Sequence, residues 1–396
     1  MISHASIVPL IGGETLGAMA AYGNKPDYFL SYTPFAENDS HIRNYLPDVP
    51  FYLLDEGQKA PHKVDVVHTV CPCAGLSQLS HGFGDHNENN KWMGETARYV
   101  LGELKPKVFW GENAPGFAGK IGETVRNELK KIGKDNGYTM SVYRTKTLLH
   151  GGPQIRERSF YFFWQDTRVP LMSYYNRPHT PIEDVLTGVK SNFQMEPINK
   201  KTPSKDDIYY TFILEEIHKG IGHAEFAQIV EPQKVRNADV FSYIERMGYD
   251  YKQVGEWMAN RGLDKEVDKC NYRYDKLKAG GNIMRRGTIV PKDHIGAFVG
   301  HYPTMLTHPV EDRYITYREA MTIMGLPSDF ELLNPKKNAN HICQNVPVQT
   351  ATDMAAETKK YLENALPMVD SDYILQYNHT QKAEYKEVQN TLEAFI

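Results

Sequence analysis

The stretch that decides the fold is VDVVHTVCPCAGLS, Val64 to Ser77. Its first half, VDVVHTV, is alternating and β-branched, the pattern of a strand, and Pro72 cannot continue a ladder because it lacks a backbone N–H. The chain therefore turns just before Cys73, which sets a thiol at the carboxyl end of a strand. In open α/β sheets that is the end at which ligands gather. A free cysteine is ordinarily a small buried hydrophobe. What gives this one another reading is the same strand-then-turn arrangement, repeated downstream.

About 40 residues on, KVFWGENAPGF (Lys107 to Phe117) is a second apolar run that ends in Glu112 and Asn113, followed by Pro115 and Gly116. A carboxylate thus stands at a second strand end. Further along, HGGPQIRERSFYFFW (His150 to Trp164) sets Gln154, Arg156 and Arg158 at alternate positions along the start of a strand, hence on one face. Cationic side chains at that spacing call for an anionic or polar partner. Singly, Glu112 reads as a helix N-cap and the arginines as a solvated edge. In series, thiol, carboxylate and arginines read as a site.

In order and wording these segments resemble the DNA (cytosine-5) methyltransferase family, from near residue 6 to about residue 355. The proline-cysteine nucleophile motif matches Pro72 and Cys73, the glutamate-asparagine motif Glu112 and Asn113, and the glutamine-x-arginine-x-arginine motif Gln154, Arg156 and Arg158. HPVEDRYITYREAMTIMGLPSDF (His308 to Phe330) is similar to the family's ninth motif, with Arg318 and Glu319 as its arginine-glutamate pair. QNVPVQTATDMA (Gln344 to Ala355) is similar to the tenth, whose Asn345 and Val346 approach the cofactor.

What the resemblance implies is a doubly wound, Rossmann-like α/β methyltransferase sheet with a second, smaller target-recognition domain. Residues 1–165 would form the catalytic domain, 166–305 the target-recognition domain, and 306–396 would return to the first. Apolar strands alternating with amphipathic segments such as ETARYVLGELK and GETVRNELKKIG support the α/β reading independently. A helix is expected from Ala238 to Ala259, another from Thr350 to Leu366, and a last amphipathic one in the tail beyond Val369.

The implied chemistry needs these residue types together. Cys73 adds as a thiolate to C6 of an extruded cytosine and so makes C5 nucleophilic. Glu112 holds N3 and the exocyclic amine, and Arg158, assisted by Arg156, binds O2. The segment SQLSHGFGDHNENNKW (Ser77 to Trp92), rich in Gly, Asn and His, suits a closing loop, and Ser77 and Gln78 at its start would meet DNA.

The cofactor implied is S-adenosylmethionine, held by Gly12, Gly13 and Leu16 in SIVPLIGGETLGAMAA, by Glu37 and Asn38 near the ribose, by Asp55 at the adenine, and by Pro72, Asn345 and Val346. The sequence departs from the family here. Val8 stands where a stacking Phe is usual, Leu10 where the first glycine is usual, and Ala74 follows the nucleophile in place of Gln. A Phe at position 8 is then expected to tighten the cofactor. Formaldehyde or methylene-tetrahydrofolate, giving 5-hydroxymethylcytosine, and a catalytically silent DNA-binding homologue stay open as alternatives.

Composition bounds the partners. The 396 residues, 41% hydrophobic, suffice for one large and one smaller domain. A net charge of -4 is not that of a general nucleic-acid coat, so contact with double-stranded DNA must come from a patch. KCNYRYDKLKAGGNIMRR (Lys269 to Arg286) offers one, with Arg273, Lys276, Arg285 and Arg286 interleaved with Tyr272 and Tyr274. Four cysteines without CxxC spacing indicate neither a disulfide framework nor a zinc site, and Cys71 reads as a packing residue. With no long apolar run and no signal pattern, the chain is expected to be a soluble monomer in the cytoplasm of a bacterial or phage-infected cell.

Overall fold

The structure, a computed structural model, describes residues 1–72, 74–77, 84, 87–189, 196–198, 202–230, 240–280, 288–300 and 302–378. Cys73, Gln78, Arg285 and Arg286 lie outside the described residues. The chain divides into two compact units: Met1–His179 with Met321–Asn334 and His341–Ile396, and Thr180–Ala320 with Pro335–Asn340.

The first unit is built on a sheet of strands β1 (His4–Ile7), β2 (Tyr28–Ser31), β3 (Phe51–Leu53), β4 (Val66–Thr69), β5 (Val108–Asn113), β6 (Thr139–Lys146), β7 (Glu157–Trp164) and β10 (Tyr373–Tyr377). A short ribbon pairs β8 (Val169–Pro170) with β9 (Met368–Val369). The sheet order is β10-β6-β7-β5-β4-β1-β2-β3, parallel throughout except for β7, which is antiparallel to both neighbours. Helices α1 (Gly13–Tyr22), α2 (Ala36–Tyr45), α3 (Lys91–Tyr99) and α4 (Glu123–Asp135) follow strands in alternation. Residues of β1, β2, β4 and β5 are buried throughout, as parallel strands covered on both faces must be, so the alternation read in VDVVHTV is not expressed as alternating exposure.

Strand order reverses between β1 and β4. Successive strands from β1 run to one edge and those from β4 to the other, and at such a switch point the carboxyl ends leave a crevice for a ligand. Ile7 ends β1 opposite Thr69 at the end of β4, so the glycine turn and the segment leading to Cys73 emerge side by side. The Val70 amide donates to the Val8 carbonyl at 3.3 Å, and the Val8 amide to the Leu30 carbonyl at 2.8 Å. The first turn is thereby tied to both neighbouring strands.

Two expected helices change. The first part of the tail after Val369 forms β10, YILQY, which pairs in parallel with β6 from Tyr373 opposite Met140 to Tyr377 opposite Arg144, while the rest of the expected tail helix, 379–396, lies outside the described residues. An aromatic and apolar run beside an open sheet edge gains ladder hydrogen bonds that a solitary helix would not. The closing helix runs Val348–Leu362 and packs on α1, where a Cβ on Gly17 would lie 2.4 Å from that of Ala351.

The second unit is helical. Segments Ile208–Phe212, His223–Ile229, Val240–Arg246, Tyr251–Ala259 and Asp264–Lys278 enclose an aromatic core with Tyr210, Phe212, Phe226, Tyr251 and Trp257. The single helix expected from Ala238 to Ala259 is interrupted. Gly248 takes φ 82, which ends the first segment, and Asp250 starts the next through a capping box with Gln253.

Candidate functional site

Glu112 is the penultimate residue of β5 and lies directly opposite Phe160 of β7, which makes Arg158 its diagonal neighbour on the same face. The Arg158 Nε lies 2.7 Å from Glu112 Oε1, with side-chain exposures of 12% and 2%. The N–H is not aimed along that line: among the described residues neither atom has a hydrogen-bond partner. The contact is one of charge. Arg158 Nη1 donates to the Glu157 carbonyl at 2.6 Å, so what stays without a hydrogen bond among the described residues is one atom of each group, Arg158 Nε and Glu112 Oε1. Burial pushes the Glu112 carboxyl above the usual carboxylate range, against the opposing charges of Arg158 and Arg156.

Only Arg158 of the alternating trio lies on the strand, since β7 begins at Glu157. Arg156 is buried before it, its carbonyl accepting from the Thr147 amide at 2.9 Å and its charge reaching the Cys343 thiol. Gln154 points elsewhere, its Nε2 lying 3.2 Å from Met324 Sδ. Pro72 is half-buried beyond β4, and Cys71 is buried against Thr69, Trp92 and Thr96, a packing residue as its position suggested. Ala74–Leu76 form a single tight turn, and Ser77 behind it is half-buried. The Gly84 amide donates to the Gly75 carbonyl at 2.7 Å, and Asn90 Nδ2 to the Gly84 carbonyl at 2.9 Å, which closes the base of this loop.

At the glycine turn, the chain itself explains both glycines. Gly12 has φ 99, and a Cβ there would lie 2.5 Å from Ile42; a Cβ on Gly13 would lie 2.0 Å from the Val346 carbonyl oxygen. The Gly13 amide donates to Asn345 Oδ1 at 2.8 Å, so the two segments meet although far apart in sequence. Leu16 and Val346 are buried behind them. Val8 and Leu10, the residues that depart from the family, both adopt left-handed backbone, at φ 55 and φ 50.

Glu37 is exposed on α2, and Asn38 Nδ2 donates to Gln344 Oε1 at 3.2 Å. Asp55 is exposed and accepts the Thr33 amide at 3.0 Å. Sequence reasoning passed over two buried acids nearby. Asp39, one helical step past Asn38, accepts from the Leu10 amide at 2.8 Å and from the Ser31 hydroxyl, and burial holds its carboxyl well above the usual range. Glu14, fully buried in the first turn of α1, accepts on Oε1 from the Ser6 hydroxyl and from the Thr15 hydroxyl at 2.8 Å, with His68 Nδ1 at 3.3 Å. The available signal was an acid within the otherwise small and apolar start of an amphipathic segment.

Proton counting defines this network further. A carbonyl only accepts, so His4 Nε2, 3.1 Å from the Asn24 carbonyl, carries a hydrogen. Burial lowers His4 to about 3, so its ring is neutral and Nδ1 accepts from His68 Nε2 at 2.9 Å.

Of the residues expected at DNA, Arg273 is half-buried, donating to the Tyr209 hydroxyl at 3.0 Å and lying over the rings of Tyr209 and Phe241. Lys276 is exposed near Tyr272. Glu319 holds Arg313 at 2.8 Å and caps its own helix through the Thr316 amide at 2.7 Å.

The chain is 24% identical to the type II methyltransferase M.MjaORF1200P of Methanocaldococcus jannaschii, over 76% of this chain and 67% of that protein. It is also 24% identical to the type II methyltransferase M.PspPI of a Psychrobacter species, over 81% of this chain and 68% of that protein. A DNA modification methyltransferase encoded in an Escherichia coli prophage has a similar fold, with TM-score 0.58 at 16% identity, covering 92% of this chain and all of the other. The family model for C-5 cytosine-specific DNA methylases matches residues 43–360, most of the chain and all of the β5–β7 site. The chain belongs to the C-5 cytosine-specific DNA methylase family.

Proposed function

We propose that the protein transfers a methyl group from S-adenosylmethionine to C5 of a cytosine extruded from double-stranded DNA. The observation that carries this reading is the Glu112–Arg158 pair: a buried acid and a half-buried guanidinium in charge contact, each with a polar atom still lacking a hydrogen bond among the described residues. Such groups are costly unless a ligand completes them. The Watson–Crick edge of cytosine offers an amine, a ring nitrogen and a carbonyl side by side. Glu112, its proton retained more readily because of burial, is suited to hold N3 and the exocyclic amine, and Arg158 to meet O2 as negative charge develops there.

Cys73 is the nucleophile in this proposal. Its thiolate bonds to C6, the ring becomes an enamine, C5 takes the one-carbon group, and loss of the C5 proton expels the thiolate. The donor supplies an electrophilic methyl group. Its fit to the turn after β1 rests on Asn345: Oδ1 is used by the Gly13 amide, which fixes the amide's orientation, while Nδ2 is buried without a partner among the described residues. A donor at a helix start matches the carboxylate of the donor's methionine part. The second unit, Thr180–Ala320 with Pro335–Asn340, is proposed to read the DNA target.

The test is to incubate the protein with DNA and S-adenosylmethionine, digest to nucleosides and weigh deoxycytidine. A gain of one CH2 supports the reading. A gain of CH2O, obtained only with formaldehyde or methylene-tetrahydrofolate, replaces it with hydroxymethylation, and DNA binding with no gain from any donor refutes catalysis.

A further inference from the structure

The glycine turn carries a second unspent group. Glu14 follows Gly13 directly, is fully buried, and has one oxygen, Oε1, engaged by Ser6, Thr15 and His68. Its other oxygen, Oε2, is buried without a hydrogen-bond partner among the described residues. An unsatisfied carboxylate oxygen inside a protein calls for a donor that arrives with a ligand. On the segment that meets this turn, Asn345 Nδ2 is a buried donor without an acceptor among the described residues. An orphaned acceptor and an orphaned donor, placed on consecutive contacts of one helix start, are complementary to a zwitterion.

We infer that Glu14 takes the α-ammonium group of the methionine part of S-adenosylmethionine, while Asn345 takes its carboxylate. The inference rests on the reading of S-adenosylmethionine as the donor and names the residue that recognises its amino acid end. The sulfonium is the other cation of that molecule and is a poorer match. It has no N–H with which to satisfy Oε2. A carboxylate beside it would also stabilise charge that disperses as the methyl group leaves, and so would favour the ground state over the transition state. The ammonium lies away from the reacting centre, and its attraction to Glu14 contributes equally in both states. Glu14 is therefore a binding residue for the cofactor. The His4–His68 chain behind it fixes the carboxylate from the other side, holding Oε1 so that Oε2 is left for the ligand.

The test uses calorimetric binding to the full-length protein of three neutral-sulfur ligands: S-adenosylhomocysteine, its analogue lacking the amino group, and 5′-methylthioadenosine, which lacks the whole amino acid part. For the unsubstituted protein the desamino analogue should bind at least about tenfold more weakly than S-adenosylhomocysteine, the scale of a charge-assisted hydrogen bond. Glu14→Gln should bring those two affinities together and leave 5′-methylthioadenosine within about twofold, the arrangement of a ligand–side-chain cycle. Equal binding of S-adenosylhomocysteine and its desamino analogue to the unsubstituted protein overturns the inference even if the variant does not fold, and so does a tenfold gap that persists in Glu14→Gln. If the unsubstituted protein binds neither S-adenosylmethionine nor S-adenosylhomocysteine, with or without DNA, the donor assignment itself fails.

Discussion

Exchange of Arg158 for methionine keeps the volume of the side-chain stem and removes the charge beside Glu112. With those side chains 12% and 2% exposed, water cannot take the place of the guanidinium. Stranding a buried charge in this way costs about 3–5 kcal/mol. A carboxylate has a second course, which is to take up a proton. Keeping neutral at pH 7 a group whose unfolded pKa is about 4.3 costs on the order of 3–4 kcal/mol, and this sets a ceiling on the loss; at pH 5 the ceiling falls to about 1 kcal/mol. The sign follows from the causes. Burial already raises Glu112, and Arg158 is the leading influence in the other direction, so its removal raises the folded-state pKa further. The folded variant then binds more protons than the unfolded chain, and its stability falls as pH rises from the unfolded pKa towards the folded one. Arg156 remains and softens the effect. Urea unfolding of the unsubstituted protein and Arg158→Met should show a wide gap in midpoint at pH 7 and a narrow one at pH 5, and adding Glu112→Gln to the variant should recover most of the loss at pH 7. Equal gaps at both pH values, or no recovery in the double variant, refute the reasoning.

Other consequences are open to direct measurement. Cys73→Ser should abolish transfer to cytosine while leaving DNA affinity within a few-fold, read by nucleoside mass and by a binding titration; near-normal turnover would remove Cys73 as the nucleophile. Gly13→Ala places a Cβ 2.0 Å from the Val346 carbonyl oxygen, so it should lower the melting temperature by several degrees or prevent folding, and an unchanged melting curve would contradict the close approach of the two segments. Charge reversal at Arg285 and Arg286 should flatten the plot of log affinity for duplex DNA against log salt by about 0.9 for each phosphate that is no longer neutralised, and an unchanged slope would place these residues away from DNA.

What the sequence made legible was the part written locally. The β4 and β5 strands end where Pro72 and Pro115 oblige the chain to turn, and a thiol segment and a carboxylate at those ends follow from the order of residues alone. Less legible was everything decided by distant partners. YILQY looks like the start of a helical tail until β6 is available to pair with it. Glu37 and Asp39 are equally acidic members of one helix, and only the position of Ser31 and Leu10 tells which of them faces inward. Glu14 reads as an ordinary first-turn acid, and its burial depends on Ser6 and His68 on two neighbouring strands.

The glycine turn shows how a departure from the family pattern is sustained. Left-handed backbone at a residue with a Cβ costs roughly 1–2 kcal/mol, more for a β-branched one, and Val8 and Leu10 both bear it. Each is also an apolar side chain removed from water, Val8 fully and Leu10 to 7% exposure, and burial of such a side chain contributes about 1.5–3 kcal/mol. The strain is thus offset within the same residues. The turn is held as well by the Val8 amide on Leu30, the Val70 amide on Val8 and the Leu10 amide on Asp39. This reverses the expectation that a Phe at position 8 would tighten the cofactor by stacking. Val8 has no exposed surface, so a ring there would have to displace its neighbours at a cost of about 1–3 kcal/mol before it could stack on anything. On the proposed reading, the turn contributes to holding an adenosyl cofactor through the polar atoms it leaves without partners among the described residues, Glu14 Oε2 and Asn345 Nδ2, and not through an aromatic residue restored at its entrance.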